Sequence, residues 1–512
     1  MRIGFWTVLL LSIFAWAPAT FPGYWQSLDG YIPVFNAVQP SAIAAIATAP
    51  DLWRGTGSAA FLIAQPLIRL GADPLLAVRV SFILCFVLGG SGIYVWLSER
   101  LGDRGAGLAG VTYMLLPMFL ATVYVRGSLA DAIIIALLPL ALAGLASYSQ
   151  RNSPVGAAVA VLSILWIWRV QAGLAVFATV LLLVYALVVE RERLAVLTVA
   201  VAGAAGLASL VPLWSISAES PQVFQDHFVQ LFQLFGVTWQ IAPSIAGWQD
   251  QYPFQLGFVA VIFGVMALWS WWIVTRPLLN PGLRRLLLFC AAGVLVLVTL
   301  SLEISGPFWF LTRADRLLTY PWQILLLAAP LLAMMAGALP VTLPDLHTPV
   351  YWSALLAVTV LASMPYLSAD YTTIQPSPRP LAIVGDNHIV VLSARLVEFD
   401  APPAAELTVT WQALRPENFD YNVFVQAIRG EETDAETGEQ VVAQLDVQPL
   451  GGERPVTSWR PGEIFTETYR LELPAQSRVS PLRYYFGFYD WRDGRRLPVD
   501  GGIDDKMVLY GQ

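Results

Sequence analysis

The sequence predicts a polytopic α-helical membrane protein of about eleven spans, followed by a C-terminal all-β sandwich domain. Three observations carry that expectation. The 512 residues are 57% hydrophobic and 13% charged, with a mean hydropathy of +0.62. A soluble domain carries roughly 25% charged residues, so much of this surface meets lipid. Apolar runs of about 20 residues, the length that crosses a bilayer core, recur as far as residue 367. Beyond about residue 380 the pattern changes to alternation.

Spans are expected at 3–19, 75–97, 105–124, 129–148, 154–170, 172–189, 194–216, 254–274, 283–302, 320–340 and 350–367. The first segment, "MRIGFWTVLLLSIFAWAPAT", has the basic start and small-residue end of a signal peptide. With so many spans behind it, we read it as an uncleaved first helix. "WRVQ" (168–171), with Trp168, Arg169 and Gln171, interrupts the pair between 154 and 189. That pair is either two helices or one broken helix, and the total lies between ten and twelve. If Arg2 is cytoplasmic, the inside turns carry "ERLGDR" (99–104), Arg151, "ERER" (190–193), Arg276, Arg284 and Arg285. These turns are short and rich in arginine, as the positive-inside rule requires. The outer connections 20–74, 217–253 and 303–319 are then the long ones. An odd number of spans places the tail outside as well.

The tail reads as strands: "ELTVTWQAL", "YNVFVQAI", "TETYRLELP" and "LRYYFGFYD" alternate between turn residues. Short strands in about 130 residues suggest a sandwich. "IQPSPRPLA" (374–382) is a proline-punctuated linker and "GEETDAETGEQ" (430–440) a polar hairpin tip or loop. The expected division is a membrane domain over 1–370, a linker over 371–383 and an extracytoplasmic sandwich over 384–512.

Several function classes are excluded. A net charge of -7 argues against nucleic acid as a partner. The two cysteines, Cys85 and Cys290, and the three scattered histidines offer neither a disulfide framework nor zinc spacing. No ATP-binding loop or dinucleotide fingerprint is present. No cofactor is expected, although a divalent metal stays open. No repeat is evident.

Polar residues beside a bilayer are costly, so those present are candidates. They gather on the expected outer side. Asp29 and Asp51 stand in the first long loop, Arg126 and Asp131 in "YVRGSLAD", and Arg169 at the helix break. His227 and Asp250 stand in the second loop, Arg313 and Arg316 in "RADR". Arg126, Arg169, Arg313 and Arg316 run against the positive-inside trend. Guanidinium forks suit phosphate oxygens, so these four could hold a lipid phosphate. The plainer alternative is that they pair with Asp131, Asp315 and other outer acids to close loops. Asp29 is the candidate general base, with Asp51 second; the alternatives are a turn cap for Asp29 and an N-cap or an Arg54 pair for Asp51. His227 lies in "FQDHFVQLF", where Phe224, Phe228, Leu231, Phe232 and Phe235 fit one apolar face of an interfacial helix. Trp248 and Tyr252 read either as interfacial aromatics or as rings that stack on a sugar. Trp459 and Trp491 in the tail are either glycan-binding aromatics or core and turn anchors.

One helix, a long outer loop with an early Asp and a multi-helix body together resemble the GT-C superfamily of polytopic glycosyltransferases. More closely, the chain resembles bacterial membrane proteins with a "6-pyruvoyl-tetrahydropterin synthase-related" domain. The residues that carry the resemblance are Asp29-Gly30 after the first helix, "YVRGSLADAIIIALLPL" at 124–140 and "YPWQILLLAAP" at 320–330. It covers roughly residues 1–370. Three positions depart from the family pattern: Ile32 and Pro33 where a His often follows the Asp-Gly pair, Asp131 where a Glu is usual, and Gln323 where an Arg follows Pro-Trp. The tail is similar to β-sandwich domains appended to such proteins.

The resemblance implies a multi-pass enzyme of the bacterial plasma membrane, its N-terminus cytoplasmic. It would transfer a sugar from a polyprenyl-phosphate donor to an extracytoplasmic glycan or protein acceptor, with Asp131, His227 and Asp250 in support. The alternative is a non-catalytic scaffold subunit of a membrane assembly, its partners other subunits of that assembly. A lipid or sugar transporter ranks third, because the helix centres are nearly bare of polar residues.

Overall fold

A computed structural model of the protein describes residues 2–38, 58–210, 224–236, 244–245, 247–250, 252–275, 280–373, 380–385, 388–417, 419–429, 440–474 and 482–511. The chain divides into two compact units. One joins Met1–Pro22 to Pro40–Asp370, and the other joins Gly23–Gln39 to Tyr371–Gln512.

This division corrects the expected boundaries. Residues 23–39 were assigned to the membrane domain, but backbone pairing ties them to the tail. Strand β1 (Tyr24–Trp25) pairs antiparallel with β2 (Tyr371–Thr372). The Tyr31 N–H donates to the Leu414 carbonyl at 2.6 Å. The expected linker 371–383 accordingly starts in a strand and ends in another, β3 (Ala382–Val384).

In the first unit helix is found at each of the eleven expected segments. Seven helical runs among the described residues are long and apolar enough to cross a membrane, and Pro154–Val170, Arg193–Ala208 and Phe258–Ile273 are shorter apolar helices. The 53-residue run Pro74–Arg126 covers two expected spans and breaks at Gly102, whose φ of 70° and ψ of 177° are open to glycine but strained for other residues. Local sequence sets the ends. Asp73, Ser153 and Asn280 cap helices whose first residue is Pro74, Pro154 or Pro281. Asn152 and Arg191 close helices in the left-handed conformation. The outward faces are apolar, with Trp6 58%, Leu10 72% and Leu295 67% exposed, as lipid contact requires.

Small residues let these helices meet. Gly144 and Gly156 face each other where Leu129–Arg151 crosses Pro154–Val170. A Cβ on Gly144 would lie 2.5 Å from the Gly156 carbonyl oxygen, and one on Gly156 would lie 2.8 Å from the Gly144 oxygen. At the Gly102 break the Asp103 carboxylate accepts from the Gly4 N–H at 2.8 Å and the Tyr94 hydroxyl at 2.7 Å, so a distant acid caps the first helix. Arg100 donates to both oxygens of buried Glu190 at 2.8 Å and to the Tyr185 hydroxyl at 3.0 Å, which also accepts from Trp96 Nε1 at 2.8 Å. That charge pair is fully hydrogen-bonded, which is the condition for burying one.

The second unit holds two antiparallel sheets with the remaining strands β4 (Ile389–Asp400), β5 (Pro403–Ala413), β6 (Asn422–Arg429), β7 (Gln440–Val447), β8 (Ile464–Glu472), β9 (Arg483–Tyr489), β10 (Val499–Asp500) and β11 (Met507–Tyr510). Strand order is β10-β3-β4-β5-β8 in one sheet and β11-β9-β6-β7 in the other. Period-two alternation sorts the faces of β5. Leu407, Val409 and Trp411 point into the core, while Thr408 and Thr410 point out and bond Thr468 at 2.9 Å and Thr466 at 3.0 Å. Trp411 bridges the sheets, its ring centroid 4.9 Å from that of Phe488. Trp459 is 3% exposed and packs on Phe465, a core anchor, the second of the two readings above. Of the linker, residues 374–379, and of the polar loop, residues 430–439, lie outside the described residues.

Candidate functional site

"YVRGSLAD" is a helix stop and start. Pro117–Ala121 runs into a π-helical turn, Thr122–Arg126, which Gly127 ends at φ 72°. Ser128 caps the next helix by accepting from the Asp131 N–H at 3.4 Å, and the Asp131 carboxylate, in the first turn, reaches back to Arg126. Asp131 is 1% exposed and the Arg126 side chain 14%. Of the expected loop-closing pairs, this one forms.

"YPWQ" is also a helix start, built some 190 residues later. Pro321 takes the first position. Gln323 Oε1 accepts from the Thr319 and Tyr320 N–H groups, both at 3.1 Å. Where the family pattern has Arg, this residue is thus a fully buried cap. The same turn sets Trp322 beneath Arg126, whose guanidinium carbon lies 5.0 Å from the ring centroid.

Trp322 is the hub of the site. Tyr320 stacks on it at 5.2 Å and 10°, Tyr252 at 4.5 Å and 30°, and Phe254 meets it edge-on at 5.8 Å. His227 packs on Tyr320 at 5.0 Å, with Nε2 3.2 Å from the Ser244 carbonyl oxygen. The Asp250 carboxylate accepts from the Ser244 hydroxyl at 2.5 Å and the Tyr252 N–H at 2.8 Å. Burial holds the Asp250 carboxyl above the ordinary value, while these hydrogen bonds and His227 pull the other way. Four expected residues, Arg126, Asp131, His227 and Asp250, thus meet around an indole. Chemically, the cluster offers a cation fixed on an aromatic face, with its partner acid beneath.

The remaining candidates stand on other segments of the chain. Asp29 belongs to the second unit, half-buried in the turn before the short helix Ile32–Val38, where its carbonyl accepts from the Ile32 N–H at 2.9 Å. Asp51, with Arg54, lies outside the described residues. Arg169 donates to the Ser209 carbonyl at 3.3 Å. The break beside it is real: Pro154–Val170 and Ala172–Tyr185 share Gln171, whose φ of -154° and ψ of 100° are extended. Arg313 is exposed and ends the Gly306–Thr312 helix in the left-handed conformation. Arg316 is exposed too, and among the described residues neither is ion-paired with Asp315, which is buried.

Two expectations need correction. Residues 224–235 do not form one amphipathic helix. Phe224 and Phe228 are buried, helix stops after Gln225, Val229 bridges to Leu302, and Leu231–Phe235 forms a separate 3-10 turn with Leu231, Phe232 and Phe235 exposed. Apolar spacing over so short a stretch does not distinguish one helix from two turns. Tyr252 is not an interfacial aromatic but is 6% exposed in the Trp322 stack, whereas Trp248 is 67% exposed. Tyr320 was missed as a site residue, and Tyr252 was not singled out over Trp248; the signal was the aromatic-proline pairs in "YPW" and "QYPF".

Among the described residues no three His, Cys, Asp or Glu side chains converge as metal ligands. No family model matches the chain, and no curated protein does. Among solved structures it is similar to an oligosaccharyltransferase of Archaeoglobus fulgidus, crystallised with zinc and sulfate, with 14% identity and a TM-score of 0.36 over 72% of this chain and 53% of that one. The chain spans about half the length of that archaeal protein.

Proposed function

We propose that the protein is a membrane glycosyltransferase that uses a polyprenyl-phosphate sugar donor, with Arg126 and Trp322 at the donor. One observation carries this reading. Two of the three stretches that carry the family resemblance, 124–140 and 320–330, lie far apart in sequence and meet through the Arg126–Trp322 contact at 5.0 Å. A guanidinium held on an indole keeps its charge while its orientation is fixed. It would accept the negative charge that develops on the departing lipid phosphate. Tyr320, half-buried and stacked on the indole, gives an aromatic edge on which a sugar ring can lie. Asp29 remains the base that the resemblance assigns to this chemistry, and Asp29→Asn is the variant that tests it.

The experiment is transfer of a labelled hexose from a polyprenyl-phosphate donor to cell-envelope acceptors by the full chain in liposomes. Wild-type transfer with at least a hundredfold loss in Trp322→Ala, and a comparable loss in Arg126→Ala, is expected, in line with removal of one charge-stabilising group. Unchanged transfer in both variants overturns the assignment. A scaffold is the second reading, favoured by one fact: the Arg126 charge is already matched by Asp131. It predicts no transfer by any variant and stoichiometric co-purification with other membrane subunits.

A further inference from the structure

We propose that one end of the sandwich, formed by Trp491, Phe419 and Tyr421, binds carbohydrate, with a pyranose ring laid on the Trp491 indole. The inference stands independently of the transferase reading. Trp491 is 55% exposed. It stands at a hairpin tip fixed by two backbone bonds, Asp490 N–H to the Arg495 carbonyl and Gly494 N–H to the Asp490 carbonyl, both 2.8 Å. The Asp490 carboxylate, 4% exposed, takes the Arg492 N–H at 2.9 Å, Nε at 3.0 Å and Nη2 at 2.6 Å. That fork lays the Arg492 guanidinium 3.8 Å over Phe419. Phe419 in turn lies near-parallel to Trp491 at 6.0 Å and 23°, and edge-on to Tyr421 at 5.0 Å. The indole is therefore held by its neighbours before any ligand arrives, so little ordering entropy opposes binding.

The surroundings select the ligand class. Arg492, Asp493 and Arg495 are exposed around the indole. Burial first, then Glu417 and Asp490, hold the Tyr421 hydroxyl above its ordinary value against Arg415 and Arg495, so charges of both signs converge on this strip. A pyranose offers an apolar C–H face to an aromatic ring and hydroxyls to planar charged side chains, and this strip offers both partners. A lipid or protein surface needs a contiguous apolar patch of a few hundred Å². The segment "DWRDGRR" (490–496) instead sets Trp491 among two acids and three arginines.

The test is retention of the full chain, in detergent and in nanodiscs, on immobilised amylose, cellulose, chitin and mannan. Wild-type protein is expected to be retained on at least one, and Trp491→Ala to weaken that retention by roughly tenfold, the upper range of an aromatic contact. Tyr510→Ala, an exposed aromatic away from the strip, should leave it unchanged. Absence of wild-type retention on all four polymers, or equal loss in both variants, overturns the proposal. So does a Trp491→Ala effect confined to stability in nanodiscs, which would identify a lipid contact instead.

Discussion

Removing either member of the Arg126–Asp131 pair should destabilise the helical unit, and removing both should cost less than the two losses added. The Asp131 side chain is 2% exposed and that of Arg126 14%. Breaking a buried pair by deleting one partner costs about 3–5 kcal/mol. The two single variants should not be equal. In Asp131→Ala the guanidinium keeps its indole contact, worth about 0.5–2 kcal/mol, and can turn toward water, which places the loss near 3 kcal/mol. In Arg126→Ala the carboxylate has neither escape and must protonate or stay charged. Protonating an ordinary carboxylate at pH 7 costs about 4 kcal/mol, which sets the scale of that loss. The Arg126→Ala/Asp131→Ala double variant should recover about 2–3 kcal/mol of the sum. The two cysteines, Cys85 and Cys290, are both buried and both in the helical unit. A thiol-reactive dye during denaturation therefore reports that unit without interference from the sandwich. Losses below about 1 kcal/mol in both single variants, or strict additivity in the double variant, would refute the reasoning.

Other expectations follow from single residues. Gly144→Ala inserts a methyl 2.5 Å from the Gly156 carbonyl oxygen, and the dye transition should fall by about 1–3 kcal/mol. Gly462→Ala places a Cβ 2.7 Å from the Tyr31 ring at a φ of 83° and should loosen residues 23–39, read as faster hydrogen exchange at the Tyr31 amide with the dye transition unmoved. Asp250 binds its proton more tightly folded than unfolded, so its contribution is fully present below the unfolded value near 3.8 and is lost as pH rises through the raised folded value. Asp250→Asn should flatten the fall in dye-detected stability over that window; a slope equal to wild type counts against it.

Helix positions were legible because a span must be apolar for about 20 residues, while the proline starts and the Gly102 break emerged only in the structure. The sandwich was legible from strict alternation in stretches such as β5. The site was legible in part. Arg126 and Asp131 were found because charge beside a bilayer is conspicuous. Trp322 was quoted only as part of a motif, since an aromatic among aromatics carries no sign of being a hub. Gln323 was counted as a lost charge, and its capping role needed the turn geometry. Residues 23–39 were grouped with the membrane domain because the sequence neighbourhood of a helix end says nothing about which distant strand will pair with it, here Tyr371–Thr372.

The pairing of Tyr24–Trp25 with Tyr371–Thr372 has a consequence for biosynthesis. A ribosome delivers one half of this ladder near the start of translation and the other only after about 345 further residues. Throughout that interval the early aromatic stretch must wait without its permanent neighbours, a natural client for a holding chaperone. A tail expressed from residue 371 onward would equally lack Tyr24, Trp25, Tyr31 and Phe35, all buried in the finished molecule. A soluble version of the sandwich therefore needs residues 23–39 grafted back, for instance through a flexible join ahead of β2.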